Sequence, residues 1–479
     1  MSGKTFIGRV RQVLTLRNAV KTVLWGATLA VLFYVEEDWR GARAWAATKA
    51  EWEARGESFD YARLIPPAVP DRENLAMLPI FQVVPDPGRP GGWMSRLQEA
   101  NSKVDVAPYK RNWQTGGLTD AHELSDVLAE SYRKAFPNAP VPQDGLEQFD
   151  QLYPFMDGLR AAAAVRRYCR MPQDYPPQSP FSRMLALSTG QIATAKVLTL
   201  HSDLALSENK PDVALEDIRI NFMITDGMTR EPFLVSGLVA IGMSAINLNT
   251  VYNGLNRHSW DDAQLAELER ILSGIDFLAD YQHALRGEIV GMTLPLLDEM
   301  RADRPIYAVD QASGETKQES SWNFWPTGWI DARKADATER VFSAVHLIDL
   351  KSRVVDAPGA DQLTGDPVLS ALKKFSRMQV WVDEVRIACG LERYRLAHGT
   401  YPDSLEALVP DDVDRLPHDI MNGEPYCYRL RPEGTFLLYS VGWNQKDDGG
   451  VEAFQKDSPK AEELTQGDWV WPVPKVAGP

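Results

Sequence analysis

The residues able to do chemistry are few and scattered. There are seven histidines: His122, His201, His258, His283, His346, His398 and His418. No two stand three or four apart, so no helix face carries the paired imidazoles of a zinc site. His122-Glu123 opens an H-E-x-x-H frame, but Asp126 occupies the position of the second histidine. Gly242-Met243-Ser244 is followed by Ala245-Ile246 inside an apolar run, so it is not a nucleophile elbow. Neither a phosphate-cradling P-loop nor a G-x-G-x-x-G fingerprint occurs. The cysteines Cys169, Cys389 and Cys427 form no C-x-x-C pair. They read as isolated buried thiols. A Cys389 to Cys427 bridge is the alternative in an oxidising compartment. Acid pairs such as Asp261-Asp262 fit helix caps. Trp322, Trp325 and Trp329 cluster in SSWNFWPTGW. They could stack on sugar rings or on a partner's aromatics. A core anchor for the loop is the preferred reading, because large aromatics are mostly buried. No catalytic residue is assigned.

The elements around these residues belong to an ordinary folded chain. Its 479 residues suggest two to four domains, and the composition is 44% hydrophobic and 24% charged. A mean hydropathy of -0.30 excludes a polytopic membrane protein. Acids outnumber bases by 66 to 51, for a net charge of -15. Such a body repels phosphate backbones, so nucleic acid is not an expected partner.

The segment 1–21 carries five bases (Lys4, Arg9, Arg11, Arg17 and Lys21) and no acid. The segment 22–35, TVLWGATLAVLFYV, carries no charge, and Glu36, Glu37 and Asp38 follow directly. The run is short for a span, but the charge asymmetry is strongly positive-inside. Lys21 can snorkel and let Ala19 and Val20 join. No small-x-small cleavage site follows closely. The reading is a cytoplasmic basic tail over 1–21 and an uncleaved transmembrane signal anchor over 19–35. The chain is then single-pass in the inner (cytoplasmic) membrane, with its body in the periplasm.

Residues 36–150 read as a helix followed by a Pro/Gly-rich extended region with one helical stretch beginning at Leu118. Residues 151–350 read as a mainly α domain, either a helical bundle or tetratricopeptide-like helical pairs without a clean repeat. Its expected helices include 181–206, one opening at Pro211, an apolar helix over EPFLVSGLVAIGMSAINLN and one opened by Ser259 with Asp262. Residues 301–329 read as a polar loop and 351–366 as a linker. In the C-terminal domain, 367–479, a long helix should stop at Gly399. A short helix and a Tyr-rich hairpin should follow. This makes a small α+β unit.

Three stretches of that domain carry a resemblance: LERYRLAHGTYPDSLEALVP, LPHDIMNGEPYCYRL and FLLYSVGWNQKDDGG. Together they resemble the head domain of the major pseudopilin of bacterial type II secretion, over residues 381–471. The N-terminus lacks that family's processing motif. The apolar segment ends at Val35, whereas the head begins only near Trp381, so a standard filament subunit is not implied. The resemblance implies calcium in the acidic loop. Asn444, Asp447 and Asp448 match the loop positions, and Asp468 matches the later acid that closes the site; hard cations of this kind take several oxygen ligands. On the residues alone, the same loop reads as a solvated Asp-Gly turn. LIPPAVPD and EPFLVSGL resemble membrane-anchored exported proteins of planctomycete or verrucomicrobial type. The functional expectation is a non-enzymatic, membrane-anchored scaffold or interaction protein that meets envelope or secretion-system proteins, beside a type II secretion or pilus-like system. The alternative is a glycan-active envelope enzyme with its site in the helical domain.

Overall fold

A computed structural model describes residues 16–85, 93–95, 121–171, 181–302, 306–309, 316–319, 325–362, 367–455 and 458–472. It is mainly helical with short strand elements. Helix α1 runs Leu16–Ala54, far beyond the apolar stretch within it. Short 3-10 turns replace it where Pro66, Pro67, Pro70 and Pro79 forbid a longer helix. A small antiparallel pair, β1 (Val83–Pro85) and β2 (Trp93–Ser95), follows. Next come α2 (Ala121–Ala135), α3 (Gly145–Leu152), α4 (Phe155–Ala163), α5 (Phe181–Ser207), α6 (Pro211–Thr229), α7 (Leu234–Asn256), α8 (Asp262–Ser273) and α9 (Phe277–Gly287). A π-helical turn, Glu288–Thr293, leads into α10 (Leu294–Arg301).

The stretch read as a plain loop holds a hairpin, β3 (Ile306–Val309) on β4 (Thr316–Glu319), in simple antiparallel register. Helix α11 (Thr327–Val345) follows, then the short strands β5 (Ile348–Asp349) and β6 (Val354–Val355). The linker contains a one-turn helix α12 (Ala357–Ala360), and α13 runs Pro367–His398. Gly399, at φ +79, ends α13 in the left-handed conformation that glycine adopts without a Cβ clash. β7 (Cys427–Leu430) pairs with β8 (Phe436–Ser440), and β11 (Trp469–Val470) adds to the other edge of β8. β9 (Glu452–Gln455) and β10 (Ser458–Gly467) form a separate pair.

The residues divide into two compact units. One draws on Met1–Asp60, Ile289–Asp310 and Thr316–Phe342, the other on Tyr61–Glu288, Gln311–Glu315 and Ser343–Pro479. In the first, α1 and α11 run parallel although they lie far apart in the chain. Asp38 meets Thr327, and Trp52 meets Glu339 and Phe342. The approach is closest at Gly41 and Gly328, where a Cβ on Gly41 would collide with the carbonyl oxygen of Gly328. Trp52 and Phe342 are buried there, with Phe59 packed edge-on against Phe342.

The core of the second unit is helical. α5 packs on α6 and α7, and α13 packs on α7, α8 and α9. α7 has the length and apolarity of a membrane span, but 61% of its apolar window is buried, which makes it a core helix. Both faces of α13 are covered: Phe375, Trp381, Val385, Ile387 and Leu391 are all buried. Polar groups go inside in linked sets. Arg160 of α4 donates to Asp217 of α6 at 3.2 Å, and His201 Nδ1 of α5 lies 2.5 Å from the other Asp217 oxygen. Asp217 and His201 are buried, so each depends on its partner for compensation. The helix opening expected at Ser259 and Asp262 uses a different pair, with a capping box between Asp261 and Gln264.

Candidate functional site

An open cleft lies in the second unit, where three helices and two loops meet. The C-terminal half of α8 contributes Glu269, and Asp276 caps α9. The β5–β6 turn contributes Arg353, and α13 presents Asp383 and Arg386 at i and i+3, so on one face. The segment before β7 closes the wall with residues 414–418. The cleft has a volume of about 610 Å³. Arg386 donates to Glu269 through Nε at 3.2 Å and Nη2 at 2.8 Å, and its Nη1 is 3.7 Å from Asp383. Arg353 donates to Asp276 at 2.6 Å from a left-handed backbone conformation, φ +53. Gln379 ties the floor together: its amide nitrogen donates to Asp383 at 3.2 Å, and its oxygen accepts from the Phe277 N–H at 2.8 Å. Burial pushes the Asp383 carboxyl up to about 6, against the pull of Arg386 and Arg353.

A second cavity of about 350 Å³ shares Leu416, Pro417 and His418 with the first and reaches Tyr426 and Tyr428. A third, of about 230 Å³, is lined by Tyr252, Phe436 and Trp471 beside a buried carboxylate, Glu392. Glu392 accepts from His258 Nδ1 at 2.7 Å, Arg395 Nη2 at 2.6 Å and Tyr401 Oη at 3.0 Å. Burial alone would raise Glu392, but the hydrogen bonds from Arg395 and His258 hold it below the ordinary range. Sequence reasoning missed all three openings. The first and third draw on widely separated stretches; the second lies within 403–428, inside the stretches that carry the resemblance, where nothing in the residue types marks a cavity.

The four residues matched to the calcium loop do fall close to one loop. Asn444 donates its side-chain amide to Asp448 at 3.0 Å. Asp447 accepts from the Gly449 N–H at 2.9 Å and the Tyr439 hydroxyl at 2.8 Å, and these bonds hold it below the usual carboxylate range. Asp468 is buried and accepts from three backbone N–H groups: Asp448 at 3.2 Å, Gly450 at 2.6 Å and Val451 at 3.2 Å. The positive ends of those amide dipoles thus face the Asp468 carboxylate. Among the described residues, no three acidic, histidine or cysteine side chains gather as a metal cage.

The three cysteines are unbridged, with Cys169 and Cys389 buried. The side chain of His122 and all of Trp322 lie outside the described residues. Trp325 is 54% exposed, so the preferred reading of a core anchor gives way at that position. Comparison with protein-family models, with curated proteins and with solved structures returned no match.

Proposed function

We propose that this is a non-enzymatic interaction protein held at the membrane by α1, with a folded body that presents the charged cleft to a partner. The observation that carries this is the division of α1. Residues 36–54 take part in packing, with Gly41 and Trp52 buried, whereas Val23, Leu24, Trp25, Leu29 and Val31 are all more than half exposed. None of the helix's most apolar window is buried. That apolar surface is unfavourable in water, at roughly 25 cal/mol per Å². A helix of this kind fits a membrane anchor or a signal sequence. The continuity of α1 into the packed unit and the basic flank favour the uncleaved, N-inside anchor.

The cleft supports binding rather than turnover. Glu269 and Asp276 are each engaged by an arginine, and His418 is turned to the Ser352 carbonyl. These candidate acid–base partners of Asp383 are therefore already committed. The resemblance of residues 381–471 to a pseudopilin head points to a secretion or pilus-like assembly as the partner, with calcium as a ligand of the acidic loop. The enzymatic alternative has one observation in its favour: a buried carboxyl raised to about 6 inside an open cleft can act as a general acid.

A reporter fused at the C-terminus tests the topology. It should be active only outside the cytoplasm, and the chain should resist alkaline extraction from membranes. Cytoplasmic reporter activity, or a mature N-terminus beyond Tyr34, overturns the anchor. For the cleft, the body is incubated with envelope glycans: release of products that is lost in Asp383→Asn would overturn the non-enzymatic reading.

A further inference from the structure

The parallel pairing of α1 and α11 brings a distant segment back to the level where the apolar stretch of α1 ends. Asp38 Oδ1 accepts from the Thr327 hydroxyl at 3.0 Å and from the Gly328 N–H at 2.8 Å. It therefore caps α11 from another helix, satisfying one of the donors that a helix N-terminus leaves unpaired. Glu37 accepts from the Trp329 indole N–H at 2.9 Å. Trp329 packs edge-on against Phe33, with ring centroids 6.4 Å apart, and Trp325 packs on Trp329 at 5.0 Å. The acids Glu37 and Asp38, which look in sequence like a simple topology signal, are docking groups for α11.

The result is a girdle of aromatics drawn from two distant regions of the chain. Phe33, Tyr34 and Trp39 of α1 join Trp325 and Trp329, and all but Trp329 are at least 40% exposed. Arg43 stacks over Trp39 at 5.3 Å, one turn beyond. Tryptophan and tyrosine favour the headgroup level of a bilayer, where a ring is partly apolar and its N–H or O–H stays wet. Arginines just outside that level meet lipid phosphates.

We propose that the N-terminal end of α11 is a second membrane contact, with Trp325 and Trp329 seated in the headgroup layer beside the outer end of the α1 span. This rests on the anchor reading above, and the depth of each segment separates the two claims. The chain has 14 tryptophans, so intrinsic fluorescence cannot be assigned to one ring. The full chain is instead labelled with an environment-sensitive fluorophore at a single new cysteine. Cys427→Ser removes the partly exposed native thiol, while Cys169 and Cys389 are buried. The substitutions are Trp325→Cys, Leu29→Cys for the span, and Asp336→Cys on the exposed side of α11 as control. Each protein is reconstituted into phosphatidylcholine/phosphatidylglycerol vesicles carrying nitroxide lipids labelled either at the headgroup or deep in the acyl chain.

The headgroup nitroxide should quench the label at 325 several-fold more than the label at 336, and the deep nitroxide should quench position 29. If 29 is quenched and 325 is quenched no more than 336, the contact is overturned while the anchor stands. The two tryptophans are then left for a sugar or a protein partner. If 325 is quenched by the headgroup nitroxide and 29 is not reached by the deep one, the lipid contact stands and the span falls. Quenching at neither overturns both.

Discussion

At the scale of single residues, buried charge shapes this protein most, and its effects can be measured. Asp383 is protonated in both folded and unfolded chains below about pH 4. Above about 6 it is ionised in both. Between these values the folded chain holds the proton and the unfolded chain does not, so stability falls as pH rises through the window. Denaturant midpoints from pH 4 to 7 should show this slope, at most roughly 1.4 kcal/mol per pH unit from one group. Asp383→Asn should reduce it, leaving the share of other buried carboxyls such as Asp280, which burial raises to about 8; an unchanged slope would assign the whole effect elsewhere. Asp468 gives a second test. Three amides converge on its carboxylate, so Asp468→Asn should lose about 1–3 kcal/mol even with chelator present. If the loss appears only in calcium, the cation rather than the amides closes the loop. Little of this was legible in the sequence. The text shows Asp468 and the Asp447-Asp448 pair as acids near a turn, and nothing in it says that backbone donors meet one and a tyrosine hydroxyl another. Asp383 was indistinguishable from any other acid on a helix, because its burial depends on Tyr426 and on other elements distant in the chain.

At the scale of elements, the sequence was far more informative. Pro211 at the start of α6, Gly399 at the end of α13 and the all-round apolarity of α7 each specify local structure through sterics or burial, and each element forms where those signals stand. The hairpin β3–β4 was read as loop because its strands are short and one of them, TKQE, lacks apolar alternation. The pairing of α1 with α11 was invisible for another reason: it depends on the absence of side chains. Gly41→Ala places a methyl against the Gly328 carbonyl, so the helices must move apart, at a cost of about 1–3 kcal/mol. Gly26→Ala, on the same helix with open space around it, should be neutral or slightly stabilising. Thermal melts of the full chain in detergent compare the two; equal melting would mean that α1 and α11 are not held at this crossing.

At the scale of the whole molecule, the exposed apolar segment of α1 and the folded body are separable in chemistry. Removing residues 1–35 takes away the exposed apolar surface and spares Asp38, Gly41 and Trp52, which hold α11. The shortened chain should be soluble and predominantly helical by circular dichroism, with a cooperative melt. A strand-dominated spectrum or a broad transition would count against a body that folds without the apolar segment. Trp52→Ala in that chain should cost about 3–5 kcal/mol, because a fully buried indole packed on Phe342 leaves a large cavity.

The α1–α11 pairing also sets a timetable. A ribosome finishes residue 54 long before it reaches residue 327, and at ~5–20 residues per second the gap is roughly 15–60 s. Throughout that interval Trp52 has no Phe342 to cover it, and Asp38 has no helix end to cap. The part of α1 that carries Asp38 and Trp52 is therefore made early and covered only once α11 has emerged. A nascent chain arrested before residue 325 should be more open to protease near Trp52 than one arrested after residue 345.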